Sequence, residues 1–377
     1  MLSFWEKESF TNYDYLVLGG GIVGLSTAIE LRSTKPQAKI AVVERGVFPS
    51  GASTKNAGFA CFGSLTEVLA DLEKMSDEQV FALVERRWQG LQLLRQRLGD
   101  STIDYRNYGG YELLRSTQEL TSLNHMDRVN NLLKPLFGKE VYRVADDEIA
   151  GLGFRPEGVK SLVFNQFEGQ IHTGKMMKAL QQLAGASQID LITGAEVTEL
   201  AEEGDGVIVQ LKSGQNLRAA QLAVCTNAFT SQLMSVEPLH PGRGVVLVTK
   251  PIPGLRFEGT FHYDEGYYYF RNYQDRVIFG GGRNLDLAGE ETTEFGAPEK
   301  ILDRLKADLD HLILPGTHYE IDQVWSGIMA FGPTKQPLLR RLSERINVGV
   351  RLGGMGVAIG SLLGKELADL MTKSVNN

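Results

Sequence analysis

The chain has 377 residues, 42% of them hydrophobic and 23% charged, and this composition is that of an ordinary folded protein long enough for two domains. Its net charge of −7, without a basic block, argues against nucleic acid or an anionic membrane as the main partner. Two cysteines, Cys61 and Cys225, exclude a disulfide framework and favour a reducing compartment. No signal-peptide pattern and no sufficiently apolar stretch are found, so we expect a cytoplasmic protein without a transmembrane segment.

A glycine motif near the N-terminus predicts a dinucleotide site. In the segment 13–31 (YDYLVLGGGIVGLSTAIEL), the run YLVL is typical of a buried parallel strand, and helical spacing follows Gly24. Gly19, Gly21 and Gly24 form GxGxxG between the two elements. Such a turn lets the backbone approach a pyrophosphate, while the N-terminus of the helix offers free N–H groups to it.

The residues that follow this motif favour FAD over NAD. A second apolar strand at 39–43 ends in Glu44, which is placed to bind an adenosine ribose and would repel the 2′-phosphate of NADP. Residues 45–64 (RGVFPSGASTKNAGFACFGS) are rich in glycine and hydroxyl groups, which suits a longer cofactor, although an ordinary surface loop is the alternative. A second glycine turn at 353–356 opens a predicted C-terminal helix whose N–H groups suit the anionic edge of a reduced flavin.

The order of five motifs resembles one family of flavoproteins. The motifs are YDYLVLGGGIVGLSTAIEL, VVERGVFPSGASTKNAGF, VEPLHPGRGVVLVTK, WSGIMAFGPTKQPLL and GVRLGGMGVAIGSLLGKEL. Together they resemble the FAD-dependent family that includes D-amino-acid oxidase, glycine oxidase and monomeric sarcosine oxidase. The resemblance implies an enzyme that removes a hydride from the carbon beside an amine, passes it to FAD, and uses oxygen or another electron acceptor.

The resemblance also implies an α/β fold of two domains. A Rossmann-like FAD-binding domain would comprise residues 12–80, 150–235 and 335–377. A substrate domain built on a large mixed β-sheet would comprise residues 81–149 and 236–334. The amphipathic spacing of 76–98 predicts a helix, and 190–211 predicts strand, turn and strand.

The predicted cofactor contacts come from the motifs and from the resemblance. The motifs give Gly19, Gly20, Gly21, Ile22, Val23, Gly24, Glu44, Arg45, Ser53, Thr54, Asn56, Gly58, Gly353, Gly354, Met355, Gly356 and Val357. The resemblance adds the backbone of Val197 and the pair Thr226 and Asn227, which follow a buried strand. No metal site is predicted, because the six histidines are scattered without ligand spacing and are expected to be structural or exposed.

The substrate is less well defined than the cofactor. The run 266–284 predicts two strands around a turn, with Tyr268 pointing opposite to Tyr267 and Tyr269, and the resemblance implies that this hairpin lines the substrate cavity. Plain strand packing is the alternative for each tyrosine. We include Tyr268 among the candidate pocket residues.

Two departures from the family pattern limit the substrate prediction. Amino-acid oxidases of the family carry an arginine that binds the substrate carboxylate where this chain has Met329. Another arginine then does this, with Arg243, Arg271 and Arg283 as candidates, or the substrate lacks that carboxylate. The strand VIFGGG lacks the lysine that sarcosine oxidases use toward oxygen, so a dehydrogenase with another acceptor is an alternative, and no cysteine stands where their flavin link would be.

Two further functions remain open from the sequence. One is an FAD-dependent dehydrogenase of a 2-hydroxy acid or polyol phosphate, which requires a base, and His172 is the candidate for it. The other is a module that retains FAD without turnover.

Overall fold

The computed structural model describes residues 1–236 and 238–373 and contains two eight-stranded sheets, joined by helices, and one short two-stranded sheet. The helices are α1 (Phe4–Phe10), α2 (Ile22–Thr34), α3 (Leu65–Leu72), α4 (Asp77–Leu98), α5 (Asp100–Ile103), α6 (Thr117–Leu120), α7 (Met126–Phe137), α8 (Thr173–Ala186), α9 (Glu299–Asp308) and α10 (Gly356–Thr372). The strands are β1 (Asn12–Leu18), β2 (Ile40–Val43), β3 (Phe59–Ala60), β4 (Gly110–Leu114), β5 (Tyr142–Val144), β6 (Ser161–Asn165), β7 (Gly169–Gln170), β8 (Asp190–Ile192), β9 (Val197–Glu203), β10 (Gly206–Leu211), β11 (Asn216–Val224), β12 (His240–Thr249), β13 (Thr260–Tyr263), β14 (Tyr268–Tyr273), β15 (Arg276–Gly281), β16 (Ile321–Phe331), β17 (Leu338–Arg341) and β18 (Ile346–Val350).

The first large sheet has a parallel centre. Its main order is β17-β18-β11-β1-β2-β8, in which β18, β11, β1, β2 and β8 run parallel. The predicted strand YLVL forms most of β1 and is buried from Leu16 to Leu18, as expected for a strand covered on both faces. Because parallel strands end at one edge, the carboxyl ends of β1, β2 and β11 meet there.

The second large sheet is mixed, in the order β16-β12-β15-β14-β13-β4-β6-β5. One face of it is packed with aromatic rings: Phe261 stacks on Phe270 and Tyr263 on Tyr268, each pair with ring centroids 4.8 Å apart. The predicted hairpin at 266–284 is present as β14 and β15. The side chains that alternate with the packed ones point to the opposite face of this sheet.

Helix α4 connects the two halves of the structure. It begins at Ser76 with a capping box, in which Ser76 and Gln79 satisfy each other's backbone N–H groups. Its apolar residues Leu91 and Leu94 pack in the core beneath the first sheet, whereas Val80 and Val84 pack under the second. At Gly90 the helix approaches α10 so closely that an added Cβ would lie 2.2 Å from Ala358 O.

The predicted division into two domains differs from the sheets at one strand. Strand β6 lies within 150–235, which the division assigns to the FAD-binding domain, yet it pairs with β4 and β5 of the second sheet. The residues of β6 do not indicate which strands it pairs with, because strand pairing depends on segments far away in the sequence. Glu237 and residues 374–377, which the division also assigns, lie outside the described residues.

No helix among the described residues combines the length and the apolar character needed to cross a bilayer.

The contact at Gly90 gives a stability prediction with a defined sign. Gly90→Ala places a methyl group against Ala358 O, so we expect it to lower the free energy of unfolding by about 1–3 kcal/mol. Gly185→Ala, at an exposed position of α8 where an added Cβ meets no atom within 4 Å, should instead raise it by up to about 1 kcal/mol, since alanine restricts the unfolded chain. Urea denaturation followed by circular dichroism measures both; equal effects would contradict the packing described here.

Candidate active site

A cavity of about 760 Å³ lies between the two large sheets. Its first wall is formed by the carboxyl ends of β1, β2 and β11 with the N-termini of α2 and α10. Its second wall is the face of the second sheet opposite to the aromatic packing, with strands β12, β13, β14 and β16 contributing side chains. A ligand that fills this space therefore contacts both sheets.

The first glycine motif fits a ligand that must touch the backbone. An added Cβ at Gly24 would lie 1.9 Å from Gly19 O, so only glycine permits this packing of α2 against the turn. Gly19 has a φ of +107° and opens the turn. At Gly21, which caps α2, an added Cβ would lie 2.8 Å from Ser53 Oγ, the atom that accepts the Ile22 N–H (3.0 Å). The N-terminus of α2 thus faces the cavity, with its Ile22 N–H held by Ser53 Oγ.

Glu44 is fixed at the end of β2 by donors on both of its oxygens. The Gly20 N–H donates to Oε2 (3.0 Å), and the Gly46 N–H and Ser50 Oγ donate to Oε1 (both 2.9 Å). Glu44 is 7% exposed and lines the cavity. Such a held acceptor suits a neutral hydroxyl pair, as on a ribose.

The loop after β2 is held by its own side chains and by a buried arginine. Asn56 Nδ2 donates to Ser53 O (2.9 Å), and Asn56 Oδ1 accepts the Gly58 N–H (2.9 Å). The Arg271 guanidinium donates to Ala57 O and, at 3.0 Å, to Ile171 O. Burial lowers the pKa of Arg271 to about 10. Arg271 therefore supports the loop from behind.

The second glycine turn opens onto the same cavity. Gly353 and Gly354 have φ angles of +55° and +85°, and α10 begins at Gly356. An added Cβ at Gly353 or Gly356 would meet no atom within 4 Å, so both glycines border open space. The two glycine turns, about 330 residues apart in the sequence, thus face one cavity, as a single extended cofactor requires.

Most of the predicted cofactor residues line this cavity. Those that do are Gly19, Gly21, Ile22, Val23, Glu44, Arg45, Ser53, Asn56, Val197, Thr226, Asn227, Gly353, Gly354, Met355, Gly356 and Val357. Gly20, Gly24, Thr54 and Gly58 lie in the walls behind: Gly20 donates to Glu44, Gly24 packs on Gly19, Thr54 donates to Pro49 O (2.7 Å), and Gly58 lies against Arg271.

The tyrosines of β14 alternate as the sequence predicts, and this places Tyr268 outside the cavity. Tyr267 and Tyr269 line the cavity, whereas Tyr268 is fully buried in the aromatic core on the other face. Burial raises the pKa of the Tyr269 phenol to about 12. Tyr269 therefore meets a ligand as a neutral hydrogen-bonding group.

The three candidate arginines have different environments. Arg243 forms two hydrogen bonds to Glu290, whose side chain is 1% exposed, and is thus committed to a structural ion pair. Arg271 supports the loop described above. Arg283 lines the cavity with its guanidinium carbon 4.1 Å from the ring centroid of Phe331, and no carboxylate among the described residues pairs with it. Burial lowers the pKa of Arg283.

Of the two remaining candidate pocket residues, Met329 lines the cavity and His172 does not. Met329 lines the cavity from β16, so an apolar side chain occupies the place where the family pattern has an arginine. His172 does not line the cavity: it caps α8, where its Nδ1 accepts the Lys175 N–H (3.2 Å). Burial lowers the pKa of His172, with Lys175 adding to the effect.

The structure differs from the sequence expectation at His262, which lines the cavity. Its Nε2 lies 3.6 Å from Glu168 Oε2, and Cys61 is beside them. Burial alone would lower the pKa of His262, but Cys61 and the Glu168 carboxylate raise that pKa well above its ordinary value. Burial raises the pKa of the Cys61 thiol. The pattern FHY in β13 carried the signal, because its two aromatic neighbours point to the core and direct His262 to the cavity.

Comparison with known proteins places the chain among flavin enzymes. It is 24% identical over 381 residues to the glycine oxidase of Geobacillus kaustophilus (strain HTA426), covering 96% of this chain and 93% of that enzyme. It is 25% identical over 236 residues to the L-2-hydroxyglutarate dehydrogenase of Escherichia coli (strain K12), covering 61% of this chain and 51% of that enzyme. The chain thus spans about half the length of the latter relative.

Solved structures share the fold over nearly the whole chain. The glycine oxidase from Geobacillus kaustophilus superposes with a TM-score of 0.77 at 20% identity, covering 97% of both chains. The L-proline dehydrogenase from P. horikoshii gives a TM-score of 0.77 at 18% identity, covering 96% of this chain and 94% of that one. The predicted α/β fold with a large mixed sheet is therefore confirmed.

The family assignment follows from a match over nearly the whole chain. Residues 14–370 match the family DAO, described as FAD dependent oxidoreductase. The predicted enzyme class and its cofactor, FAD, are thereby confirmed. The chain belongs to the DAO family of FAD-dependent oxidoreductases.

Proposed function

We propose that this enzyme oxidises the C–N bond of a small amino acid, whose carboxylate binds to Arg283. The observation that carries the proposal is the position of Arg283, a half-buried guanidinium in the wall of the cavity without an anionic partner among the described residues. A guanidinium in such a place binds a carboxylate through two parallel hydrogen bonds. The match to glycine oxidase over nearly the full chain supports an amine-bearing substrate.

The proposed cofactor contacts are the cavity-lining residues of the two glycine turns and of the loop after β2. The open space beside Gly353 and Gly356 and the N-terminus of α2 at the cavity wall fit an extended ligand that carries phosphates. FAD, when bound, supplies an acceptor for the hydride that leaves the carbon beside the amine.

The chain's own contribution to the reaction is binding and positioning. Arg283 would hold the substrate by one end, and Tyr267 and Tyr269 would border the space that its other atoms occupy. Met329 adds an apolar surface that offers no competing charge. Orientation of this kind lowers a reaction barrier without a general acid or base.

A second candidate is oxidation of a 2-hydroxy acid, favoured by His262. This histidine lines the cavity with Glu168 on its far side, which is the arrangement of a general base oriented by a carboxylate. The partial match to L-2-hydroxyglutarate dehydrogenase agrees with it.

The predicted cytoplasmic location and the choice between oxygen and another electron acceptor stay predictions.

Gly21→Val tests the proposed cofactor contacts. The new side chain would displace Ser53 Oγ and cover the first turn of α2, so we expect the purified protein to lose its bound FAD. The measurement is the ratio of flavin absorbance near ~450 nm to protein absorbance. Gly185→Val, at an exposed position of α8, is the control and should stay yellow. A yellow Gly21→Val protein would place the cofactor elsewhere.

Arg283→Met tests the carboxylate contact. We expect the substrate concentration for half-maximal anaerobic bleaching of the flavin to rise about 10- to 100-fold, the usual effect of losing a charged hydrogen-bond partner. Bleaching by the corresponding amines without a carboxylate should not change. Arg340→Met, on the exposed face of β17, is the control and should behave as the wild type. Equal loss for both substrate classes would refute a carboxylate at Arg283.

A substrate panel separates the two candidate functions. Amino acids, amines and 2-hydroxy acids are mixed anaerobically with the holoenzyme, and we expect amino acids to bleach the flavin. If 2-hydroxy acids alone do so, the second candidate is correct. Its rate should then rise with pH, because a base at His262 must lose the proton that its raised pKa retains, and His262→Gln should abolish it.

A further inference from the structure

Three side chains of different chemistry meet at the edge of the cavity, and the proposed function does not use them together. Cys61, Glu168 and His262 are 7%, 2% and 5% exposed. One ligand atom from each, the Cys61 sulfur, a Glu168 oxygen and a His262 ring nitrogen, lies within 4.8 Å of the other two. Cys61 and His262 line the cavity, whereas Glu168 lies behind them.

The two-stranded sheet of β3 and β7, together with β13, brings these residues together. Strands β3 and β7 pair antiparallel, with Ala60 opposite Gly169. Cys61, which follows β3, and Glu168, which precedes β7, are therefore the next two residues to lie opposite each other. His262 comes from β13, and its ring is held edge to face by Phe59 at 5.0 Å between centroids. The geometry is thus supported from three segments of the fold.

Apart from one another, the three side chains keep ligand atoms that form no hydrogen bond to other described residues. Glu168 Oε1 accepts the Phe62 and Gly63 N–H groups at 3.3 and 3.4 Å, which leaves Oε2 facing the histidine. His262 Nε2 is buried without a hydrogen-bond partner among the described residues. Cys61 is a free cysteine. Buried polar and charged groups are as a rule paired or bound to a metal, and a thiol, an imidazole and a carboxylate this close together suit a shared metal ion.

We propose that Cys61, His262 and Glu168 bind one divalent transition-metal ion of the Zn²⁺ type. Thiolate, imidazole and carboxylate are the ligands that Zn²⁺ takes in proteins, and three protein ligands leave a fourth position open. Because Cys61 and His262 line the cavity, that position faces it. It would accept an oxygen of water or of a bound anion.

This site does not depend on the proposed oxidation of an amino acid, which uses none of the three residues. It does compete with the second candidate function, because a metal on His262 Nε2 removes the hydrogen bond that would orient the ring as a base. Metal binding also requires the thiol and the imidazole to lose their protons.

Metal analysis of the holoenzyme tests the proposal. After loading with Zn²⁺ at pH 8 and removal of unbound ion, we expect about one zinc per FAD, since a three-ligand site holds one ion. Cys61→Ala and Glu168→Gln should lower this ratio at least about tenfold while the FAD ratio stays unchanged. Cys225→Ala is the matched control: Cys225 is also buried, with its pKa raised to about 12, and should keep the zinc.

X-ray absorption at the zinc edge tests the wild type without any variant. We expect one sulfur at about 2.3 Å and nitrogen or oxygen ligands at about 2.0–2.2 Å. Zinc without a sulfur neighbour, a wild type that retains no zinc after loading, or equal loss of zinc in the Cys61 and Cys225 variants would each overturn the proposal.

Discussion

The architecture of the site depends on the contact between Gly24 and Gly19 O. A Cβ at Gly24 would lie 1.9 Å from that oxygen, so α2 can begin directly against the end of β1 only because no side chain intervenes. This approach directs the N-terminus of α2, with its unsatisfied N–H groups, toward the cavity. The same constraint places α2 against α10, where Gly360 and Gly364 give room to Ile22 and Ser26. The two glycine turns therefore face one space because the two helices are closely packed.

The second sheet contributes to the site because neighbouring side chains along its strands point to opposite faces. Along β13 and β14 the side chains of Phe261, Tyr263, Tyr268 and Phe270 belong to the aromatic core, whereas His262 and Tyr269, which alternate with them, line the cavity. The antiparallel register sets His262 opposite Tyr269, so one stacking pattern determines which polar groups a substrate meets. A shift of one residue would exchange the core and the cavity faces, and the stacked rings of Phe261 and Phe270 resist that shift.

Most of the proposed cofactor residues could be predicted from the sequence because they belong to short motifs. The glycine spacing from Gly19 to Gly24, the acid at Glu44 and the turn at Gly353 each lie in a short segment whose conformation follows from those residues. The substrate half depends on pairing between distant strands. Arg243 and Arg283 are indistinguishable in the sequence, and only the ion pair with Glu290 commits the first and leaves the second facing the cavity. The meeting of Cys61, Glu168 and His262 is still less local, since it requires the pairing of β3 with β7.

The loss of the family's arginine at Met329 changes the charge of the cavity less than the sequence suggests. Arg283, which follows β15, places a guanidinium above Phe331 in the cavity lining. His262, whose pKa is raised, adds to the lining a group that can carry a positive charge or bind a metal. Arg283 and His262 both lie on the side of the second sheet, whereas the glycine turns, which would hold the cofactor's phosphates, lie on the first. An anionic substrate group is therefore expected at the wall opposite the proposed phosphate site, and Met329 adds an apolar side chain to the cavity lining. This separation of charge favours a substrate with one carboxylate end and one uncharged reacting end.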